Sequence, residues 1–227
     1  MLPFGYFDLI ETFPKRGCAV CNLLAHDVDH LLDSILYEHV TDPEMHAAFR
    51  ASKGLCHTHG WRLSTLGNVL SMAILYEATL DEILNTLDQV PSSAKRYLNR
   101  LMPMQNNNAD LVEALSPSEP CIACKLEKRS ETQYLSVLSD YIHDEKMQAA
   151  YQQSDGLCLD HFKQILRYTH HAERTQKIID IQREIWKRLD FELQEFKRKY
   201  DQHVGEKIGS EGDSWLRAIA SISGGKK

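Results

Sequence analysis

Apolar residues recur every three or four positions along most of this chain, the spacing of one face of an α-helix. An early example contains Leu24, Val28, Leu31, Leu32, Ile35 and Leu36, and the longest contains Ile178, Ile181, Ile185, Leu189, Leu193, Phe196 and Tyr200. No pair of short alternating segments around a turn signal indicates a β-hairpin. The pattern therefore predicts an all-α fold.

Helix-start and helix-stop signals divide this pattern into elements. Asp42 followed by Pro43 is typical of an N-cap and a first helical residue, and Asp144 stands at the equivalent place further on. A Gly-rich stretch at 205–214 interrupts the longest helix before a short amphipathic tail around Trp215, Leu216 and Ile219.

The second half of the chain repeats the first at an offset of 102–103 residues. "DLIETFPKRGCAVC" at 8–21 corresponds to "DLVEALSPSEPCIAC" at 110–124, and "DPEMHAAFRASKGLCHTH" at 42–59 corresponds to "DEKMQAAYQQSDGLCLDH" at 144–161. Such self-similarity indicates two copies of one structural unit. We predict a first repeat at 1–90, a connector at 91–109, a second repeat at 110–204, and a flexible hinge with an amphipathic tail at 205–227.

Each repeat alone is small for an independent core. The long helices expected after Cys56 and Cys158 are therefore predicted to pack as a pseudo-symmetric bundle with a common core. The stripe from Ile178 to Tyr200 would meet a face of the first repeat that contains Leu63, Leu66, Val69, Leu70, Ile74 and Leu75.

Composition limits the compartment and the partners. The 227 residues are 43% hydrophobic and carry a net charge of −6, which argues against nucleic acid and anionic membranes as main partners. The N-terminus lacks the features of a secretory signal, and no stretch is long and apolar enough to span a membrane. We expect a cytoplasmic protein, in which stable disulfides are rare.

All six cysteines fall into two repeated motifs. Each repeat has a C-x-x-C and then a G-L-C-x-x-H, which together contain Cys18, Cys21, Cys56 and His59 in the first repeat and Cys121, Cys124, Cys158 and His161 in the second. Three thiolates and one imidazole suit the tetrahedral coordination of Zn²⁺. The sequence therefore predicts two zinc ions per chain, with one Cys₃His site per repeat.

The grouping of the ligands depends on how the chain returns to its start. A helix over residues 22–37 would run about 24 Å away from the C-x-x-C, and residues 38–55 are long enough to come back. Sites within each repeat are thus the simplest arrangement. An exchange, in which the C-x-x-C of one repeat joins the C-x-x-H of the other, stays open.

Three alternative roles for the cysteines fit less well. Buried core thiols would have no reason to repeat in these spacings. A redox dithiol would leave the C-x-x-H motifs unexplained and lacks its usual βαβ context. Iron–sulfur clusters usually draw three cysteines from one short run, which neither repeat contains, although an iron–sulfur cluster remains the alternative cofactor.

The histidines and acids near the motifs have weaker patterns. His57 is replaced by Leu159 in the second repeat, so we predict that it is a surface residue or an outer partner of the metal site. His26, His30, His170 and His171 have no repeated counterpart and are predicted to be solvated. The lead-in segments at 8–11 and 110–113 are predicted to cap helices and contact the core; the alternative is that their acids accept hydrogen bonds from the ligating histidines.

The duplicated C-x-x-C and G-L-C-x-x-H pattern over an all-helical chain resembles a family of prokaryotic proteins known only as a domain of unknown function. The resemblance supports metal binding and implies no activity. We therefore expect a structural-zinc scaffold or protein-interaction module that binds a protein partner, or a second copy, through its long helices or tail. An iron–sulfur or dithiol redox protein, or an enzyme with a site between the repeats, is the alternative. No known catalytic motif is present, which favours a non-catalytic role.

Overall fold

A computed structural model describes residues 2–89, 107–201 and 205–225, and these ranges contain helices and no β-strand. The helices are α1 Tyr6–Thr12, α2 Ala19–Tyr37, α3 Pro43–Ala51, α4 His57–Ser64, α5 Val69–Asp88, α6 Asn107–Leu115, α7 Ile122–Asp140, α8 Glu145–Gln153, α9 Leu159–Tyr168, α10 Ala172–Tyr200 and α11 Ser214–Ser223, with a 3₁₀ helix at Ser210–Asp213. The prediction of an all-α fold is confirmed. None of these helices is both long enough and apolar enough to cross a membrane.

The helices of the first half recur in order in the second. The 19-residue α2 matches the 19-residue α7, and the nine-residue α3 matches the nine-residue α8. Residues 91–106 of the predicted connector lie outside the described residues, whereas 107–109 belong to α6. The boundaries of the repeats, connector and hinge stay a prediction.

Both predicted N-caps of the short helices are confirmed. The Asp42 carboxylate accepts a hydrogen bond from the backbone N–H of Glu44, and Pro43 is the first residue of α3. The Asp144 carboxylate accepts from the N–H groups of Lys146 and Met147 at the start of α8. These caps satisfy amide groups that a helix start leaves without intrahelical partners.

The G-L-C-x-x-H motifs do not open long helices directly, which corrects the sequence expectation. Each motif opens a short helix, α4 or α9, and the long helix starts only after a break. In the first half, Gly67 adopts a φ of 88° and the Asn68 side chain caps α5 by accepting from the Ser71 N–H. In the second half, Thr169 is extended, and its hydroxyl donates to the Ile165 carbonyl of α9.

The chain divides into two compact units, and each has its own core. One unit contains the chain up to Asp27 and from Lys128 onward; the other contains Val28–Glu127. The first core includes Leu9, Phe13, Val20, Leu23, Leu135, Leu138, Tyr151, Leu157, Ile178 and Ile185. The second core includes Val28, Leu32, Ile35, Phe49, Leu63, Leu75 and Ala123.

Two helices contribute to both cores. Val20 and Leu23 of α2 lie in the first core, whereas Val28 lies in the second. In α7 the order is reversed, because Ala123 lies in the second core and Leu135 in the first. The start of each repeat is therefore buried with the later elements of the other repeat.

The long helices do not share the common core that the sequence predicted. The buried residues Ile178, Ile181 and Ile185 of α10 belong to the first core, whereas Leu75 of α5 belongs to the second. Val69 and Leu70, which were expected to meet α10, are 72% and 71% exposed. The reason is that each long helix finds its apolar partners in its own unit.

Candidate metal centres

The first candidate centre gathers Cys18, Cys21, Cys158 and His161 in the first unit, with their ligand atoms within 4.8 Å of one another. The Nδ1 atom of His161 lies 3.3 Å from the Sγ of Cys18, 3.4 Å from that of Cys21 and 3.2 Å from that of Cys158. The sulfurs of Cys21 and Cys158 are 3.7 Å apart.

The second candidate centre gathers Cys56, His59, Cys121 and Cys124 in the second unit, within the same limit of 4.8 Å. The Nδ1 atom of His59 lies 3.2, 3.7 and 3.5 Å from the sulfurs of Cys56, Cys121 and Cys124. The sulfurs of Cys56 and Cys124 are 3.6 Å apart. All eight predicted ligand residues thus fall into two groups of four.

The grouping is exchanged between the repeats, so the within-repeat assignment is wrong. Cys18 and Cys21 of the first repeat meet the C-x-x-H of the second, and Cys121 and Cys124 of the second meet the C-x-x-H of the first. The cause lies in α2 and α7. Each helix begins in one core and continues into the other, and therefore carries the following G-L-C-x-x-H away from its own C-x-x-C.

The distances fit a single tetrahedral ion. With metal–sulfur bonds of about 2.3 Å and metal–nitrogen bonds of about 2.0–2.1 Å, tetrahedral ligands are separated by about 3.8 Å for two sulfurs and about 3.6 Å for sulfur and nitrogen. The observed sulfur–sulfur distances of 3.6 and 3.7 Å and sulfur–nitrogen distances of 3.2–3.7 Å lie close to these values.

Helix starts surround both groups of thiols. Cys18, Cys56, Cys121 and Cys158 each directly precede the first residue of a helix, namely α2, α4, α7 and α9. Each group of four therefore has two helix N-termini at its edge. The free N–H groups and the dipole at a helix start stabilise thiolate, the form that binds metal. They also offset the net charge of −1 that three thiolates leave on a divalent ion.

The ligand thiols differ in pKa according to their place in the centre. The contact with Cys18 holds the pKa of Cys158 far below its ordinary value, whereas burial raises that of Cys18. Burial opposes ionisation of Cys56, but the backbone N–H of His59 lowers its pKa. Burial raises the pKa of Cys124 to about 12.

The sulfurs around His161 favour the protonated form of its imidazole. Burial lowers the pKa of His161, but the hydrogen bonds with Cys158 and Cys21 raise it to about 10. A metal ion has to displace this proton from Nδ1 and the remaining protons from the thiols. Metal binding at the first centre should therefore strengthen as the pH rises.

A buried glutamine of α10 holds the loop that precedes Cys158. The Leu157 N–H donates to Gln182 Oε1 at 2.9 Å, and Gln182 Nε2 donates to the Leu157 carbonyl at 3.2 Å. The Tyr151 hydroxyl donates to the same Oε1 at 2.6 Å. Gly156 has a φ of 81°, and a Cβ there would lie 2.7 Å from Gln182 Nε2. A side chain at this position would therefore be strained and would displace Gln182.

A tyrosine of α5 takes the corresponding place in the second unit. Tyr76 is hydrogen-bonded through its hydroxyl to the backbone of Leu55, the counterpart of Leu157. Gly54 has a φ of 87°, but a Cβ there would lie 3.4 Å from Tyr76 Cε1, an ordinary contact. The G-L-C turn is thus the same in both repeats, although different side chains support it.

Carboxylates of α7 face the outer nitrogens of both histidines. The Nε2 atom of His59 lies 3.5 Å from Glu127 Oε1, and that of His161 lies 3.3 Å from Glu131 Oε1. Such an outer carboxylate orients a ligating imidazole and makes it more basic. Glu127 and Glu131 are thus the acids that face the two histidines. The alternative from the sequence had given this role to acids of the lead-in segments.

The sequence contained a signal for these glutamates that the repeat comparison concealed. Glu127 follows Cys124 by three residues and Glu131 by seven, so both lie on the same face of α7. The first repeat has Leu24 and Val28 at these places. The glutamates are therefore not among the residues that the two repeats share. Gln182 and Tyr76 were missed for the same reason, because they do not occupy equivalent positions.

In the described part of the chain, the other histidines and the lead-in acids lie outside both groups of ligands. His26, His30, His57, His170 and His171 are exposed, in agreement with the predicted solvated positions. In the first lead-in Leu9 is fully buried, as expected of a core contact, whereas Val112 of the second is 64% exposed.

A family model now places this chain among known proteins. The model of a family of unknown function, DUF6062, matches residues 8–227. The protein belongs to this family. A relative in Caldicellulosiruptor sp. (strain Rt8B.4), named "Uncharacterized 23.9 kDa protein in xynA 3'region", is 22% identical over 220 residues, which cover 95% of this chain and 99% of the relative. No solved structure gives a significant match. The resemblance to a family of unknown function is confirmed, and DUF6062 membership names no activity.

Proposed function

We propose that this DUF6062 protein binds two zinc ions in structural sites. The first ion is held by Cys18, Cys21, Cys158 and His161, and the second by Cys56, His59, Cys121 and Cys124. The observation that carries the proposal is the convergence of three sulfurs and one imidazole nitrogen, twice, at the separations of a tetrahedral ion. Four protein ligands complete the coordination of zinc and leave no position for a substrate or a reactive water.

The ligand spacing favours one ion over a cluster of several irons. The sulfurs of Cys21 and Cys158, like those of Cys56 and Cys124, are within 3.7 Å of each other. A cluster of two or more irons distributes its four ligands over different metals and so separates some of them widely, whereas all four ligand atoms of each centre lie within 4.8 Å of one another, as around a single ion.

A structural role also follows from what the ligands connect. Cys18 directly precedes α2, and Cys21 lies in it. In the same way Cys158 directly precedes α9, and His161 lies in it. These two helices are distant in sequence. An ion at this point ties two distant segments of the chain together, and the same holds for the second centre. Because such a site does not exist in the unfolded chain, the free energy of metal binding becomes free energy of folding. The protein is thus a metal-stabilised helical scaffold.

The surface for a protein partner in this proposal is the outer face of α11. Its exposed residues Trp215, Leu216, Ile219 and Ile222 are apolar, and Arg217 is directed inward to Glu192 and Asp213. A face without charge allows two copies to meet without burying an ionised group. We infer that a second copy binds there. Sedimentation should show a dimer that Leu216→Glu with Ile219→Glu abolishes, and a wild-type monomer at all concentrations would contradict this inference.

Metal analysis of untagged protein tests the main proposal. Mass spectrometry under native conditions should find a mass excess of two zinc ions, and the solution should be colourless. Cys18→Ser and Cys121→Ser should each lose one ion and keep the other. A brown preparation containing iron and sulfide, or a chain that carries no metal after purification in zinc-supplemented buffer, would overturn the proposal.

A further inference from the structure

Gly224 and Gly225, the two residues after α11, lie directly on the first candidate centre. The backbone N–H of Gly225 donates to the Sγ of Cys21, with nitrogen and sulfur 3.4 Å apart. A Cβ at Gly224 would lie 3.7 Å from the Sγ of Cys21 and 3.9 Å from that of Cys158. The backbone of Gly225 therefore contacts the Cys21 sulfur, and the space beside Gly224 is bounded by the sulfurs of Cys21 and Cys158.

Folded elements determine this position. The Trp186 indole N–H of α10 donates to Ser221 Oγ of α11 at 2.7 Å. Arg217 of α11 forms ion pairs with Glu192 of α10 and with Asp213. These contacts attach α11 to the body of the first unit on the side where its last residues meet Cys21.

The loop before Cys18 is connected to the same end of the unit. The Gly17 N–H donates to Asp155 Oδ2 at 2.8 Å, and Arg16 forms an ion pair with Asp213, which precedes α11. The C-x-x-C loop, the G-L-C turn and the C-terminal helix are thus joined by polar contacts around one centre.

Glycine is favoured at both positions where the chain leaves α11. Gly224 has a φ of 84°, a conformation that side chains rarely adopt. A Cβ at Gly225 would lie 3.1 Å from the Cys21 Cβ. A residue with a side chain at either place would be strained or would displace the backbone from the sulfur. The Gly-Gly pair is therefore suited to close approach of the backbone to a thiolate.

We propose that Gly224 and Gly225 are an outer part of the first metal centre: the Gly225 N–H stabilises the Cys21 thiolate, and the two residues cover its sulfur. This inference rests on the proposed metal binding. With these two residues in place, Cys21 is half-buried, whereas Cys18, Cys158 and His161 are buried. A hydrogen bond from a backbone N–H withdraws charge from a metal-bound thiolate. The cover therefore protects Cys21 from electrophiles and oxidants.

The second centre supplies an internal reference. Cys124, the counterpart of Cys21, is also half-buried, and the hydrogen-bond partners of its sulfur in the described part of the chain are the other three ligand residues, Cys56, His59 and Cys121. Cys21 should therefore react more slowly than Cys124 in the same protein molecule. The ratio of the two rates cancels differences in protein and reagent concentration.

The test measures alkylation of zinc-loaded protein by limiting iodoacetamide, with peptide mass spectrometry of Cys21 and Cys124. Gly225→Pro lacks the N–H donor, and a chain that ends at Ser223 lacks both donor and cover. A chain that ends at Gly225 keeps both and is the matched control. We expect both variants to raise the Cys21 rate about tenfold, the factor contributed by one hydrogen bond to a charged group, with the Cys124 rate and the control unchanged.

Native mass spectra of the same samples separate the two proposals. If all proteins hold two zinc ions and the Cys21 rate does not change relative to Cys124, the Gly225 contact has no protective role and this inference is wrong, whereas zinc binding stands. A wild-type chain without bound metal would overturn the zinc sites, and the outer role of Gly225 with them.

Discussion

The two candidate centres have the same four ligands in the same geometry, yet the residues that support them differ. Gln182 holds the turn before Cys158 in the first centre, whereas the Tyr76 hydroxyl is bound to the corresponding turn in the second. The Gly225 N–H contacts a sulfur of the first centre. Two of the three sulfurs in the second centre, those of Cys56 and Cys124, are on half-buried residues.

This difference separates what coordination requires from what packing can vary. A tetrahedral ion needs its ligand types and spacings, and these recur in both repeats. The turn before the third cysteine needs a partner for one backbone amide, and a glutamine or a tyrosine can supply it. We therefore expect the first centre, with more supporting contacts, to hold its metal more strongly and exchange it more slowly.

Replacing a metal ligand should have the largest effect on local stability. Because the ligands are exchanged between the repeats, this loss of stability should be found in the repeat that does not contain the replaced residue. Cys18→Ser should destabilise the turn at 156–158, where the Leu157 amide is bonded to Gln182. We expect a loss on the order of 3 kcal/mol or more, roughly a hundredfold faster amide exchange at Leu157, because metal binding is coupled to folding. Hydrogen exchange with mass spectrometry measures this for both turns.

The corresponding turn at 54–56 and the exposed His57 provide the controls. Exchange at Leu55 should be unchanged in Cys18→Ser, and His57→Ala should alter stability by no more than about 0.5 kcal/mol, as is usual for surface positions. Faster exchange at Leu55 than at Leu157 in Cys18→Ser would support centres formed within each repeat and contradict the exchanged grouping.

The helical fold and the residues that gather in the two candidate centres could be predicted because both depend on local sequence. The stripe of Ile178, Ile181 and Ile185 has the helical period and is buried as expected. The cap at Asp144 needs only its neighbours. The cysteine and histidine motifs are likewise short, and their repetition distinguished His59 from His57.

The grouping of the ligands could not be predicted because it depends on where two helices cross from one core into another. Val20 and Val28 of α2 are both fully buried apolar residues, and nothing in the sequence says that they lie in different cores. The chain length allowed either grouping. The carboxylates that face the histidines could not be predicted from the repeated pattern either, because Glu127 and Glu131 have apolar counterparts in the first repeat.

Replacing the glycine of each G-L-C turn by alanine should lower the free energy of unfolding by different amounts in the two repeats. Gly54→Ala should cost about 1–2 kcal/mol, the strain of a left-handed backbone conformation. Gly156→Ala should cost about 3 kcal/mol, because its Cβ also displaces Gln182 and leaves buried hydrogen-bonding groups without partners. Guanidinium unfolding of the zinc-loaded proteins checks this. Gly67→Ala, with a φ of 88° and open space around it, is the control for strain alone. Equal losses at Gly54 and Gly156 would show that Gln182 gives way freely.

Neutralising the outer carboxylates should produce the smallest effect. The loss of zinc affinity should be larger at the first centre than at the second. Glu131 is closer to its histidine and less exposed than Glu127, at 13% against 25% of the side chain. Glutamine keeps an acceptor oxygen but loses the charge that makes the imidazole more basic. We expect Glu131→Gln to weaken zinc binding at the first centre about tenfold, the lower end for such outer partners, and Glu127→Gln to weaken the second centre less. Competition with a chromogenic chelator measures both affinities.

Glu11→Gln in the first lead-in is the matched control and should leave both affinities unchanged. An effect of Glu11→Gln as large as that of Glu131→Gln would instead support the lead-in acid as the partner of the histidine.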